Sequence, residues 1–156
     1  MQPLYNPDAA RAFAQRWVGR GDEKSDTQTF WLEMLGQVLG APNPFELIRF
    51  ERSVKLGHKS FMDAFISSTH VLIEQKSLGV DLDTPQRQSD GTLLTPFRQA
   101  ARYNSMLPYS ERARWIVISD FARIRVYDME TPEAPPRVVT LANLAEELDR
   151  LDFLVN

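Results

Sequence analysis

The spacing of the apolar residues changes near Phe45, and this change limits the chain to a combination of helices and strands. Before Phe45, apolar residues recur at helical spacing in one segment that begins at Asn6-Pro7 and in another that ends at Gly40. Three successive segments after Phe45 have the length and composition of strands: residues 48–56, 61–66 and 71–77. The sequence therefore predicts helices that pack against a sheet.

The remainder of the chain continues the alternation of helices and strands. A mostly polar connection over residues 78–94 shows no periodicity, and structureless loops of that length are uncommon in compact domains and are often functional. The later predicted elements are a helix from Thr95-Pro96 to near Pro108, strands at 115–119 and 124–127, a proline-rich turn at 131–136, and a last helix carrying Leu141, Leu144, Leu148 and Leu151. The predicted fold is α/β, a mixed central sheet flanked by helices with an N-terminal helical extension.

Composition excludes several classes of function. The 156 residues include no cysteine, which excludes a disulfide scaffold, a cysteine-ligated zinc site and thiol catalysis. The two histidines, His58 and His70, are too few for a three-histidine zinc site. The net charge is −3, so binding to an anion must be local or depend on a metal. No signal peptide or membrane-spanning run is visible, so we expect a cytoplasmic location and no membrane partner.

Three charged residues converge if the second and third predicted strands form a hairpin. Side chains alternate along a strand, so Glu74 and Lys76 share a face. A two-residue turn at 68–69 would place Asp63 directly across from Glu74. Two close carboxylates repel each other, and a hard divalent cation such as Mg²⁺ binds through their oxygens. With Lys76 beside them, the residues fit metal-dependent hydrolysis of a phosphodiester.

A simpler interpretation is open for the same residues, because an Asp and a Glu-x-Lys sequence on adjacent strands occur in many sheets as solvated ion pairs. Two observations favour the metal site. Glu74 follows the continuous apolar run 71–73, which is typical of a central strand, and Asp63 is flanked by apolar residues. Buried charges are costly unless they are paired or bound to a metal.

Asp63 followed by Glu74-Gln75-Lys76 resembles the signature of the PD-(D/E)xK nuclease superfamily, with Met62 where the superfamily name has proline. The order of helix, three strands, helix and strand is similar to the core of that superfamily. The resemblance implies a restriction-endonuclease-like fold in which Asp63 and Glu74 hold Mg²⁺ and Lys76 assists the attacking water or the transition state.

Two further groups of residues enter through the same resemblance. Gln99 and Tyr103 are four residues apart on a predicted helix and resemble the Gln-x-x-x-Tyr element of RecB-like members, which supports the site; a surface hydrogen-bonding pair is the alternative. In the superfamily, an acidic residue from the preceding helix can complete the metal site. Glu33 is the candidate for this position, a solvated side chain is the alternative, and Glu46 and Glu51 are rivals.

Longer segments resemble the N-terminal region of type IIL (MmeI-like) restriction-modification enzymes: residues 55–58, 61–63, 71–79, 87–91, 108–112 and 150–155. The resemblance implies a single nuclease domain, with a helical part at 1–44, a nuclease core at 45–130 and a C-terminal turn and helix at 131–156. It also implies a fragment of a longer enzyme, which carries an adenine-specific DNA methyltransferase that uses S-adenosylmethionine and a target-recognition domain.

The activity implied by this resemblance is Mg²⁺-dependent cleavage of double-stranded DNA. Two alternatives are a catalytically inactive DNA-positioning module and a scaffold for the methyltransferase. Several basic residues could contact DNA phosphates, with ordinary surface charge as the alternative: Arg49, Lys55, Lys59, Arg87 and Arg98.

Overall fold

The computed structural model describes residues 5–55 and 59–156, with the side chains of residues 54, 55 and 59–61 left out of the description. His58 therefore lies outside the described residues. The α-helices in chain order are α1 (Pro7–Trp17), α2 (Glu23–Glu33), α3 (Pro44–Leu47) and α4 (Pro96–Ser105). Within the described residues, no helix has the length and apolar character needed to cross a membrane.

The helical N-terminal part begins and ends where its capping residues predict. Oδ1 of Asn6 accepts a hydrogen bond from the Ala9 main-chain N at 3.1 Å, with proline at the first position of α1. The second helical segment continues from α2 into a π-helical turn, Met34–Val38, and Gly40 follows with a φ of 79°. A glycine adopts this left-handed conformation without the steric cost of a Cβ, so it ends the helix.

The strands form one large sheet and one small hairpin. In chain order they are β1 (Arg49–Lys55), β2 (Lys59–Ile66), β3 (Val71–Gln75), β4 (Gln86–Arg87), β5 (Leu93–Leu94), β6 (Trp115–Ser119), β7 (Arg123–Asp128) and β8 (Arg137–Thr140). The large sheet has the order β1-β2-β3-β6-β7-β8, and only the β3–β6 pair is parallel. This mixed sheet with its N-terminal helices confirms the predicted α/β architecture, which is consistent with a restriction-endonuclease-like fold.

The two faces of the large sheet carry separate hydrophobic clusters. The side chains of Val71 and Ile73 pack with α1, α2 and the C-terminal segment, whereas Leu72 between them packs with α4. This alternation is what a strand buried on both faces requires. Helix α4 connects the two parallel strands and covers the face on which Glu74 lies.

Several elements differ from the sequence prediction. The polar connection contains the β4–β5 hairpin, which Gly91 turns at a φ of 87° and which an ion pair of 2.6 Å between Arg102 and Asp90 ties to α4. Helix α4 ends at Ser105, before Pro108. The strand β8 was not predicted. The predicted last helix is instead two 3₁₀ helices, Leu141–Glu146 and Leu148–Leu154, because leucines spaced by three residues fit three residues per turn.

Gly21 supports a tight contact between the start of α2 and the turn that joins β6 to β7. A Cβ at Gly21 would lie 2.2 Å from Cδ2 of Phe121, and the φ of Gly21 is 151°. Phe121 is wholly buried, has a φ of 72° and stacks on Trp17 with 5.8 Å between ring centroids. The Gly21 main chain and the Phe121 ring therefore cannot move apart easily.

We expect Gly21→Ala to lower the free energy of unfolding by more than Gly19→Ala does. Gly19 also has a positive φ, 74°, but a Cβ at Gly19 would meet no atom of the described residues within 4 Å, so this variant reports backbone strain alone. Overpacking adds about 1–3 kcal/mol at Gly21. Urea unfolding of both variants measures the difference. Equal losses would show that the Phe121 ring moves aside without cost.

Candidate active site

The hairpin of β2 and β3 has the register that the sequence predicted. Ala64 pairs with Ile73, and the two following pairs continue towards the turn. One step in the other direction places Asp63 opposite Glu74. Here the side chain of Asp63, and not its main chain, accepts the hydrogen bond across the hairpin. The Gln75 main-chain N donates to Oδ2 of Asp63 at 2.7 Å. The predicted convergence of the two carboxyls is therefore present at the end of β3.

Asp63 lies where β2 loses its regular alternation. Met62 packs with the cluster on the α4 side of the sheet, whereas Ala64 packs with the cluster on the opposite side, next to α1 and α2. In β1, Glu51 is the residue between the partners of Met62 and Ala64, and its φ is 56°. The irregularity in both strands directs the Asp63 carboxylate to the end of β3. No glycine or proline marks this irregularity in the sequence.

Glu74 is a buried carboxyl with an incomplete set of partners. Its residue is 3% exposed, and Oε1 lies 3.4 Å from Nζ of Lys76. No N–H or hydroxyl of the described residues donates to Oε2, and the hydrogen bond between the Glu74 and Asp63 carboxyls requires a proton on one of them. Burial raises the pKa of Glu74 well above its usual value, and the charge of Asp63 raises it further, while Lys76 opposes both.

The pKa of the Asp63 carboxyl is also raised, but less than that of Glu74. Burial raises its pKa, while the hydrogen bond from the Gln75 main chain and the charge of Lys76 lower it. A buried and a half-buried carboxyl thus share the ammonium group of Lys76, and the described residues place no second lysine in an ion pair with either. Removing this electrostatic conflict requires either a proton or an additional cation.

Helix α4 supplies the neighbours of Lys76. Oγ1 of Thr95 accepts a hydrogen bond from the Arg98 main-chain N at 3.2 Å and caps the helix start. Gln99 and Tyr103 then lie one turn apart: Nζ of Lys76 donates to Oε1 of Gln99 at 3.3 Å, and Nε2 of Gln99 donates to the Tyr103 hydroxyl at 2.9 Å. Tyr103 is 5% exposed and Gln99 is half-buried, so this hydrogen-bonding pair lies beside Lys76 and not on the open surface, while its support of catalysis stays a prediction.

The structure does not bring Glu33 into this cluster. Oε2 of Glu33 accepts hydrogen bonds from Nε1 of Trp17 at 3.0 Å and from Arg16 at 3.1 Å, so α1 holds its carboxylate. Its rivals Glu46 and Glu51 are both exposed. Across residues 5–55 and 59–156, no group of three acidic or histidine side chains is arranged to hold a metal. The structure therefore does not bring Glu33 to the carboxyl pair, and its role as a third ligand stays a prediction without support from its contacts.

Glu23 approaches the site and was missed by the sequence analysis. Its main-chain N donates to Oγ of Ser77 at 2.9 Å, and the Leu78 main-chain N donates to the Gly21 carbonyl at 2.9 Å. These bonds fasten the start of α2 to the segment after Lys76. The charge of Glu23 contributes to the raised pKa of Asp63. In the sequence, Glu23 shows only the acidic character common in a first helical turn.

The remaining candidates lie around this centre. Nδ1 of His70 is 3.2 Å from the Arg112 carbonyl, which assigns this histidine to the turn before β3. Arg49, Arg87 and Arg98 are exposed, and their contact with DNA stays a prediction. The side chains of the two lysines proposed with them, Lys55 and Lys59, lie outside the description.

Comparison with known families identifies the chain. The family model described as "MmeI, N-terminal domain" matches residues 8–156. The chain belongs to this family. The matched range of this MmeI N-terminal domain contains both carboxyls, the lysine and all of α4, so family membership and the candidate site rest on the same part of the chain. Among curated proteins and solved structures, none matches the chain.

Proposed function

We propose that this MmeI N-terminal domain hydrolyses DNA phosphodiester bonds with Mg²⁺ held by Asp63 and Glu74. The observation that carries the proposal is the pair of adjacent carboxyls at the end of β3, of which Glu74 is buried and Asp63 half-buried. No N–H or hydroxyl of the described residues donates to Oε2 of Glu74, and burial together with the Asp63 carboxyl keeps the pKa of Glu74 well above its usual value. Burying such groups without compensation is costly. A cation bound by both carboxyls supplies that compensation.

The donor set fits magnesium by its chemistry. Mg²⁺ prefers carboxylate oxygens and retains several waters, so one or two carboxylates are enough to hold it. Cysteine is absent from the chain, which leaves no thiolate to favour a softer metal. When bound, Mg²⁺ would stabilise charge on the phosphate and lower the pKa of a coordinated water.

We assign to Lys76 the role of stabilising the negative charge that develops in the transition state. An ammonium group has three donors, and the structure directs two of them to Oε1 of Glu74 and Oε1 of Gln99. The third remains for a water or a phosphate oxygen. Since Tyr103 receives Nε2 of Gln99, the amide presents its oxygen to Lys76, which keeps the lysine in place.

Glu23 is the acidic residue of the helical part that we assign to the surroundings of the metal. Its charge reaches Asp63, whereas the carboxylate of Glu33 is held by α1. The bond between the Glu23 main chain and Ser77 keeps this end of α2 beside the site. A third acidic group nearby would attract further hydrated cations without coordinating the first one.

The domain provides the cleavage part of a restriction-modification enzyme in this proposal. Membership of the MmeI N-terminal domain family supports the link to restriction-modification enzymes. The resemblance noted in the sequence implies that a DNA methyltransferase and a target-recognition domain accompany the nuclease. The net charge of −3 indicates that these residues alone hold DNA weakly. Recognition and tight binding are therefore assigned to the other domains.

Incubation of the chain with supercoiled plasmid tests this function. We expect slow nicking in Mg²⁺ or Mn²⁺, none with a chelator, and a steep decrease as salt is raised, because phosphate contacts dominate weak DNA binding. Asp63→Asn should abolish nicking, whereas Asp83→Asn, which alters an exposed carboxylate paired with Arg125, should leave it intact. Absence of both nicking and calorimetric Mn²⁺ binding in the wild type would instead support a scaffold.

A further inference from the structure

Gln75 lies between the two residues of the Glu-x-Lys sequence and points to the opposite face of the sheet. Its side chain is wholly buried. Oε1 accepts a hydrogen bond from Nε1 of Trp31 at 2.8 Å, while Nε2 donates to the Lys76 carbonyl at 3.0 Å and to the Ser119 carbonyl at 3.2 Å. A helix of the N-terminal part is thereby connected to the main chain of the candidate catalytic lysine.

The orientation of this amide follows from its partners. An indole N–H can only donate, so Trp31 requires the oxygen of the amide to face it. Nε2 must then face the two carbonyls. If Trp31 loses its N–H, Oε1 becomes a buried acceptor without a donor, and the amide no longer has a single preferred orientation.

The main chain at Lys76 depends on these contacts because β3 ends at Gln75. The Lys76 main-chain N donates to the Ser119 carbonyl at 2.8 Å, and the Lys76 carbonyl accepts from the Gln75 amide. The last residue of β6 and the Gln75 side chain thus hold both main-chain polar groups of Lys76. The side chain of Lys76 extends from this point to Glu74 and Gln99.

We propose that Trp31 and Gln75 are positioning residues that hold the Lys76 main chain, and with it the ammonium group, for phosphodiester hydrolysis. The proposal rests on the function proposed above. In this proposal the reaction requires Trp31, a residue of α2 that packs on the face of the sheet opposite to Glu74.

Trp17 provides a matched control. Both indoles are buried in the same hydrophobic cluster, and each makes an edge-to-face contact with Phe30. Nε1 of Trp17 donates to Glu33, which lies on the helical side and not in the site. Trp17→Phe and Trp31→Phe therefore remove the same ring atoms and one hydrogen bond each, but only the second bond leads to Lys76.

The first measurement is plasmid nicking in Mn²⁺ at saturating DNA. We expect Trp31→Phe to lower the maximal rate at least about tenfold with little change in the DNA concentration for half-maximal rate, as for an interaction used in the transition state. Trp17→Phe should remain within about twofold of the wild type. Gln75→Met, which keeps the approximate side-chain volume but removes the amide, should reproduce the effect of Trp31→Phe.

The second measurement is amide hydrogen exchange, which does not depend on activity. Trp31→Phe and Gln75→Met should reduce the protection of the Lys76 main-chain amide beyond the loss of global stability, whereas Trp17→Phe should reduce it only in step with that loss. Equal effects of the two tryptophan variants on rate and protection would overturn the proposal. A wild type that neither nicks plasmid nor binds Mn²⁺ would refute the proposed nuclease function, and unchanged Lys76 protection in Trp31→Phe would separately refute the positioning.

Discussion

Replacement of Lys76 by alanine should lower metal-dependent nicking by about 100-fold or more, the range typical of a lost proton-transfer or charge-stabilising group. The physical reason is that Lys76 is the ammonium group that the structure places against the buried carboxyl of Glu74. The variant should remain folded, because Glu74, whose pKa is already raised, can take up a proton when the ammonium group is lost. Nicking rates and circular dichroism, measured on the same preparation, check both expectations.

Lys24→Ala is the control for this experiment. Lys24 is exposed on α2, so its loss changes the net charge and general attraction to DNA without altering the site. Comparable decreases in both variants would assign the effect to DNA attraction. A Lys76→Ala protein that nicks at nearly the wild-type rate would rule out Lys76 as a catalytic residue.

The candidate site could be predicted because two features can be read from the sequence: the alternation of side chains along a strand and the pairing register of a hairpin. Strand alternation placed Glu74 and Lys76 on one face, and the short turn set the register that puts Asp63 opposite Glu74. A register shifted by one residue would have moved the hydrophobic side chains of one strand to the opposite face of the sheet from their partners. The packing of Leu72 against α4 makes such a shift unfavourable.

Other contacts could not be predicted because they depend on how separate elements meet. Glu33 follows the expected position for a helix acid, but the indole of Trp17 and the guanidinium of Arg16 bind its carboxylate. Glu23 reaches the site through main-chain bonds between a loop and a helix start, and such bonds leave no side-chain pattern. The β4–β5 hairpin has two residues in each strand, too few to show a period of two.

The parallel pair of strands explains why the site lies where it does. Because β3 and β6 run in the same direction, their carboxyl ends meet at one edge of the sheet, where Gln75 is opposite Ser119. Helix α4 connects them and passes over this edge, as crossover helices do in βαβ units. The carboxyls come from the hairpin, the lysine follows β3, and Gln99 comes from the crossover. The hairpin, the residue after β3 and the crossover helix therefore each contribute to the candidate site.

Glu74→Gln should stabilise the metal-free domain at neutral pH while weakening its hold on Mn²⁺. Burial raises the pKa of Glu74 above its usual 4.5, so the folded state retains a proton that the unfolded state releases. The stability contributed by this group is therefore complete below pH 4.5 and declines as pH rises towards the raised pKa. Glutamine is neutral at every pH and removes this decline.

Glu74 affects the free energy of unfolding in a different pH range from the acids Asp83 and Asp128. Asp83 and Asp128 have lowered pKa values because of hydrogen bonds from Arg125 and Arg114, so their stabilisation is lost only as pH falls below about 3.8. Asp63 has a raised pKa and acts in the same direction as Glu74. As pH rises above 4.5, the wild type should lose stability that Glu74→Gln retains.

Bound metal should reverse the order of stability of the wild type and Glu74→Gln. Mn²⁺ should raise the free energy of unfolding of the wild type much more than that of Glu74→Gln, because the amide lacks the charge that binds the cation, and calorimetric affinity should fall about tenfold or more. Glu130→Gln is the control, since its side chain is 69% exposed opposite Arg114 and should change neither quantity. Urea unfolding at several pH values, with and without Mn²⁺, makes the comparison. A Glu74→Gln protein with wild-type Mn²⁺ affinity would show that the buried carboxyl serves the fold and not a metal.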